Sequence, residues 1–324
     1  MFETYDSICI EIYFILESKP YTQLSTYLRA RFGCRVQKIT IDAGLTCPNR
    51  DGTISTGGCI YCNERGSGTG LAQKMRIKDQ LIQGKKRLYR RYKAKKFLAY
   101  FQAHTNTYAS LQHLKSLYDE ALAVPDIVGL CIGTRPDCVS DEILDLLQSY
   151  NQEKLIWLEY GLQSIHDETL ARINRGHDSQ AFINAIAATK KRGLLTCVHL
   201  ILGLPFETRN HMIQTANAVA QLELDAVKIH LLYIVKNTPM ETMYRRGQYQ
   251  CLNPMQYADG VCDVIERLPK KTVIQRLTGD PHPHELVAPT WALNKYATLN
   301  LIHQRLEDRK TFQGRILSYH AKSE

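Results

Sequence analysis

No stretch of this sequence reaches the roughly 18 uninterrupted apolar residues that a membrane helix needs. The apolar run in MFETYDSICIEIYFILESKP is broken by Glu11 and preceded by acids where a secretory signal carries bases. A cytoplasmic protein with no membrane partner is expected. Internal repeats and low-complexity tracts are also missing, which removes solenoids and disordered arrays. Acids are short, 32 against 41 Lys and Arg, so an acidic solvating chain is excluded and a negatively charged partner becomes plausible. A second C-x2-C or an H-x3-H to complete a zinc site is absent as well.

What is present is a rhythm. Six strands are expected, at VQKITID (36 to 42), FLAYFQ (97 to 102), IVGLCIG (127 to 133), KLIWLEYGL (154 to 162), LLTCVHLIL (194 to 202) and DAVKIHLLYI (225 to 234). Helical patterns lie between them at LQHLKSLYDEAL, SDEILDLLQSY, SQAFINAIAATKKRG and RNHMIQTANAVAQL. Ser140 gives an N-cap signal and Gly193 a C-cap signal. The alternation predicts right-handed βαβ units and a parallel sheet, either an open doubly wound layer or a closed or partly closed barrel. Both put chemistry at the carboxyl ends of the strands. Cys47, Gln102, Thr134 with Arg135, Gln163, Gly203 and Lys236 all fall just after a strand. Residues 1–35 are expected as an N-terminal helical extension, 36–240 as the barrel and 241–324 as a C-terminal α/β appendage ending in a strand at TVIQRLTGD.

Ten cysteines in a reducing compartment read as thiols or metal ligands. Cys131 and Cys197 lie in apolar runs and are expected to be buried. Cys47, Cys59 and Cys62 form C-x11-C-x2-C in LTCPNRDGTISTGGCIYCNERGSG. Thiolates select zinc or iron–sulfur centres. Three ligands with no fourth suit a 4Fe-4S cube with one iron open, which S-adenosylmethionine can chelate. Tyr61 offers a ring for adenine, and Gly57, Gly58, Gly66, Gly68 and Gly70 let the loop wrap closely. Zinc and incidental loop cysteines compete with this reading.

Between Lys74 and Lys96 the sequence KMRIKDQLIQGKKRLYRRYKAKK holds eleven Lys or Arg and one acid, more than the whole chain's formal excess of +9. Lys85, Lys86, Arg87, Arg90, Arg91 and Lys95, with Tyr89 and Tyr92 interleaved, are candidates for a nucleic-acid backbone. The competing reading is a solvated helix with Leu81, Leu88 and Tyr92 turned to the core.

The cysteine motif, together with GTRPD, EYGLQSIHDETLARINRGH and LILGLPFET, resembles radical S-adenosylmethionine (SAM) enzymes. It is most similar to a bacterial family whose radical domain is like that of the Elongator catalytic subunit, which modifies the wobble uridine of transfer RNA. The resemblance runs from about Tyr27 to the VIQRLTGD region. It implies an α/β fold, a partial (βα)6 TIM-like radical SAM barrel, and a 4Fe-4S cluster on Cys47, Cys59 and Cys62. It also implies S-adenosylmethionine cleavage to a 5'-deoxyadenosyl radical, an electron donor such as flavodoxin or ferredoxin, and tRNA as partner. The matching candidates for holding the cofactor are Tyr61, Gln102, Thr134, Arg135, Glu159, Gln163, Arg175 and Gly203. Glu159, Gly161 and Gln163 alternate onto one strand face and are expected to point together into the lumen.

Departures are the eleven-residue spacer, the replacement of a Gly-Gly-Glu by FQAHTNTY at the second strand, and the lack of an acetyltransferase domain in the roughly 84 residues after the sixth strand. A radical enzyme acting on a small molecule or protein, and a non-enzymatic metal-containing RNA-binding protein, are the rival functions. His282 and His284 are expected on an exposed turn, and Trp291 in packing.

Overall fold

The computed structural model describes residues 19–66 and 75–320. A short helix α1 (Leu24–Phe32) precedes strand β1 (Val36–Ile41), after which helix and strand alternate. The order is α2 (Ile77–Tyr92), β2 (Lys96–Phe101), α3 (Leu111–Leu122), β3 (Ile127–Thr134), α4 (Asp141–Asn151), β4 (Leu155–Gln163), α5 (Asp167–Arg172), α6 (Ser179–Lys191), β5 (Leu195–Leu202), α7 (Arg209–Gln221) and β6 (Ala226–Leu231). There follow β7 (Ile234–Val235), α8 (Pro239–Arg245), α9 (Pro254–Arg267), β8 (Val273–Arg276), β9 (Leu286–Ala288), α10 (Lys295–Asp308) and α11 (Arg315–His320).

β1, β2, β3, β4, β5, β6 and β8 form one seven-stranded sheet in that order, every neighbouring pair parallel. Six strands were expected, and the strand in TVIQRLTGD was assigned to the C-terminal appendage. It is instead the seventh strand of the main sheet, paired with β6. The run 225 to 234 also splits, because the chain leaves the sheet after Leu231 and β7 pairs antiparallel with β9.

The sheet curls into a half-barrel. Lys38 on β1 donates to Gln275 on β8 across the concave side at 2.5 Å, and α1 touches both of these edge strands. Period-2 alternation explains the two faces. Ile39, Phe101, Ile132, Leu158, Val198 and Ile229 face outward into the main core under the helices. Val36, Leu98, Cys131, Trp157, Cys197, Ala226 and Val273 face inward, where Leu28 of α1 closes the floor. Cys131 and Cys197 are fully buried there, as their sequence context implied.

The caps follow the sequence. Ser140 accepts from the Ile143 amide at the start of α4, and Gly193 takes φ 67° after α6. Trp291 packs on Tyr257 with ring centroids 5.9 Å apart. His282 and His284 are exposed. Among the described residues no helix is long and apolar enough to cross a membrane.

Candidate active site

The loop after β1 is built by its own backbone. The Arg50 and Asp51 amides donate to Cys47 O, the Ile54 amide to Pro48 O, the Gly58 amide to Asn49 O at 2.7 Å, and the Cys62 amide to Cys59 O. The Ile60 amide donates to Ile173 O, and Ile60 O in turn accepts from the Met240 amide, so the loop is tied to both the β4–α6 and the β7–α8 connections. Arg50 Nη2 donates to Cys62 O and Asn63 O, each at 2.6 Å. Asn174 Nδ2 donates to Gly58 O at 2.7 Å.

Two buried polar side chains lean on Cys59 Sγ, Asn49 Nδ2 and Arg175 Nη1, both at 3.7 Å. Burial opposes the Arg175 charge, but Cys59 and Tyr61 outweigh it and hold the guanidinium above its ordinary value. Burial, then Cys59, pushes the Cys62 thiol up to about 11, against the pull of Arg50. Loading a metal on Cys62 therefore releases a proton.

Among the described residues, the trio of candidate ligand atoms lying within 4.8 Å of one another is Glu159, Cys197 and His199, not the loop thiols. A single zinc needs its ligands converged on one ion. Three soft thiols set wider apart, with donors directed at sulfur, fit a polynuclear iron–sulfur centre.

The rim residues divide. Arg175 Nε and Nη2 donate to Gly161 O at 3.2 and 2.7 Å. A Cβ on Gly161 would meet Gln163 Nε2 at 2.6 Å and Arg175 Nη2 at 2.8 Å, so glycine here makes room for both. The expected alternation Glu159, Gly161, Gln163 is interrupted, because the β4–β5 register shifts between Gly161 and Gln163, and Gln163 takes φ 76°. Gln163 stays beside Gly161, while Glu159 sits deeper in the lumen.

Thr134 and Arg135 are engaged with the protein. Thr134 Oγ1 lies 2.5 Å from Thr107 Oγ1. Arg135 pairs with Asp137 at 2.9 and 2.7 Å and donates to Arg175 O at 2.7 Å. It acts on the cysteine loop through Arg175. Tyr61 packs with Ile60 against Ile173, Ile201, Leu204 and Leu232 at the top of the barrel. Gly203 takes φ 85°, and its carbonyl accepts from Tyr249 Oη at 2.6 Å. Gln102 is half-buried at the carboxyl end of β2.

Sequence reasoning missed a layer of ionisable groups in the lumen. Glu159 is fully buried and accepts from Lys38 Nζ at 2.6 Å, from His199 Nε2 at 3.0 Å and from Lys228 Nζ. Burial would raise its pKa, but Lys228, Lys38 and His199 hold it well below the usual carboxylate range. Lys38 and Lys228 each lie within every second inward position of their strands, and this parity is the signal that could have found them.

Burial first, then Lys228, lowers His199 to about 4, against the pull of Glu159. His230 shifts the same way, by burial and then by His199 and Arg276. Both rings are neutral above about pH 6.5 in folded and unfolded chains. Between about 6.5 and 4 the unfolded chain takes up protons that the folded one refuses, so folded stability falls as pH drops through that window, by roughly 3 kcal/mol for His199. The urea midpoint should decline from pH 7 to 4.5, with a flatter decline in His199→Gln. A wild-type midpoint that does not move over this range would remove the argument.

The basic segment forms α2. Leu81 and Gly84 are buried against β1, where a Cβ on Gly84 would lie 2.3 Å from Ile39 Cγ2. Leu88 and Tyr92 are half-buried, so the amphipathic packing and the basic face coexist. Lys86, Arg87, Arg90, Arg91 and Lys95 are exposed, whereas Lys85 pairs with Asp126 at 2.8 Å. Tyr89 is 55% exposed. Arg35 lies 4.9 Å from the Tyr92 ring, which joins the exposed Arg29, Arg31 and Arg35 to the same surface.

Comparison with known proteins places the chain in a family. Residues 50–219 match the model described as the Radical SAM superfamily, and residues 224–308 the Radical_SAM C-terminal domain. The chain is 40% identical over 301 residues to an uncharacterized protein, YtqA, of Bacillus subtilis, covering 92% of each. It is 27% identical over 156 residues to a tRNA uridine(34) acetyltransferase of Methanocaldococcus infernus, covering 47% of this chain and 29% of that protein. The archaeal Methanocaldococcus infernus Elp3 has a similar fold, with a TM-score of 0.63 at 17% identity, covering 86% of this chain and 64% of that one.

Proposed function

This chain belongs to the radical SAM superfamily, whose members use a 4Fe-4S cluster and S-adenosylmethionine, and from that premise we propose that it is a tRNA-modifying enzyme acting on the wobble uridine. Cys47, Cys59 and Cys62 would hold the cluster, with Asn49 and Arg175 directed at Cys59. Tyr61, Gln102, Gln163 and Gly203 line the rim where the cofactor would lie. When bound, cluster and cofactor would supply radical chemistry, the reductive cleavage of S-adenosylmethionine that permits hydrogen-atom abstraction from a substrate. The half-barrel's contribution is a shaped cavity that limits water and side reactions, with the substrate entering toward the polar lumen.

The observation that carries the RNA reading is the exposed basic face of α2. The helix begins beside the carboxyl end of β1, where Gln80 bonds Asp42, and its basic second half runs to Arg35 at the amino ends of the strands. α2 has 16 residues, a span of about 24 Å. The face therefore grips RNA backbone at a distance from the reacting base, which sets affinity and orientation rather than chemistry. Kinship with a uridine(34) enzyme supports the choice of target.

The test is anaerobic. Reconstituted, reduced protein should form 5'-deoxyadenosine from S-adenosylmethionine at a rate that rises with bulk tRNA. Deletion strains should lose a modified uridine from tRNA digests. Fully loaded protein whose turnover ignores tRNA would favour a small-molecule or protein substrate. RNA binding without any turnover would favour the binding-protein reading.

The basic face makes a separate prediction. Changing Lys86, Arg87, Arg90 and Arg91 to Glu should weaken tRNA binding by at least about tenfold and flatten its salt dependence, since each phosphate contact contributes roughly 0.7 to 0.9 to the log–log slope. Filter binding across a salt series reads both. Unchanged affinity and slope would place the RNA elsewhere.

A further inference from the structure

We propose that the lumen beneath the cysteine loop is a receptor for an anionic group on the substrate, a carboxylate or a phosphate, held by Arg276 and Lys228. The inference deepens the proposed function, since it concerns what the substrate carries into that cavity, and it rests on three observations.

The first is a surplus of cations. Inward-facing Lys38 and Lys228 share the carboxylate of Glu159. Arg276 stands opposite Lys228 in register, and its charge reaches Tyr100 and His230. Among the described residues Arg276 forms no ion pair or side-chain hydrogen bond. The two histidines of the layer are held neutral at physiological pH. Three permanent cations thus face one carboxylate.

The second is local backbone. The β6–β8 register shifts between Val227 and Lys228, so that Ile274 pairs with Val227 and Arg276 with Lys228, skipping Gln275. A regular strand would put Gln275 and Arg276 on opposite faces. The shift brings Gln275, which accepts from Lys38 Nζ, and Arg276 into the same polar layer.

The third is unmet hydrogen bonding. Gln275 Nε2 and His230 Nε2 are buried without a partner. Buried polar groups are normally satisfied. A donor amide and an unpaired guanidinium beside a shared lysine are what an incoming acceptor with negative charge would complete. The same trio that could hold a metal, Glu159, Cys197 and His199, has two ammonium groups on its carboxylate, which opposes a cation there.

Acetate and inorganic phosphate are the probes. With the holoprotein, one of them should raise the melting temperature saturably in the wild type, and the response should disappear in Arg276→Met and Lys228→Met. Which of the two acts separates a carboxylate from a phosphate receptor. Arg276→Met should melt at or above the wild-type temperature without probe, because it removes an unpaired half-buried cation, yet its tRNA-stimulated 5'-deoxyadenosine formation should fall at least tenfold. Arg276→Lys should recover part of both responses.

A lowered melting temperature in Arg276→Met with the anion response intact would mean a structural role and overturn the proposal. Equilibrium dialysis of S-adenosylmethionine closes the other route, since a loss of its binding in Arg276→Met parallel to the loss of the acetate response would assign the site to the cofactor's own carboxylate. The anion assay needs no RNA. A wild type that binds acetate or phosphate but ignores tRNA would therefore sink the tRNA reading while leaving the receptor in place.

Discussion

Cys59→Ala should reduce 5'-deoxyadenosine formation to the level of reagent blanks, a loss of at least about three orders of magnitude, and should leave the reconstituted protein poor in iron and sulfide. The effect is large because the loop has no spare ligand. Cys59 is 7% exposed, and both Asn49 and Arg175 aim donors at its sulfur. Removing it leaves two thiols and a buried guanidinium facing no sulfur. Cys47→Ala and Cys62→Ala should behave alike. Cys131→Ala is the control, since that thiol is equally hidden but packs among Leu98, Trp157 and Cys197 on the lumen floor. It should cost about 1 kcal/mol of stability by leaving a small cavity and retain iron. Wild-type iron, sulfide and turnover in Cys59→Ala would refute the assignment of the cluster to this loop.

The contrast between Cys59 and Cys131 also marks where sequence is informative. Spacing and company distinguish the two, because one sits among glycines after a strand and the other within an apolar run. Helices α3, α4, α6 and α7 were legible for a similar reason, since apolar spacing and the Ser140 cap are local properties. The place of the seventh strand in the main sheet was not. Val273–Arg276 is four residues long and carries no strong alternation. Only its pairing with β6 gives it a place, and pairing across more than 40 residues of chain is a tertiary choice.

Arg135 illustrates a second limit. Its position after β3 was read correctly, but position alone does not tell which way a guanidinium turns, and here Asp137 two residues on captures it. Glu159 illustrates a third. Its inward parity was legible, whereas its ion pairs depend on lysines from β1 and β6, 121 and 69 residues away. Curling of the sheet brings them together. No window of local sequence contains that information.

Glu159→Ala should be among the most destabilising single changes in the described chain, costing about 3 to 5 kcal/mol, because it leaves Lys38 and Lys228 buried without their shared carboxylate. Glu159→Gln should cost less, since the amide oxygen still accepts one hydrogen bond. Adding Lys228→Met to Glu159→Gln should restore part of the loss, giving a coupling of about 1 to 3 kcal/mol in a double-mutant cycle read from urea midpoints. Additive effects would mean that the two groups do not depend on each other. The anion receptor makes the same substitution act in opposite directions on two readouts. Glu159→Gln removes the carboxylate that Lys38 and Lys228 share among the described residues, so Lys38, Lys228 and Arg276 all become available to an incoming anion. Its folded stability should fall while its response to acetate or phosphate grows, and only a cavity whose cations are reserved for a ligand predicts that divergence.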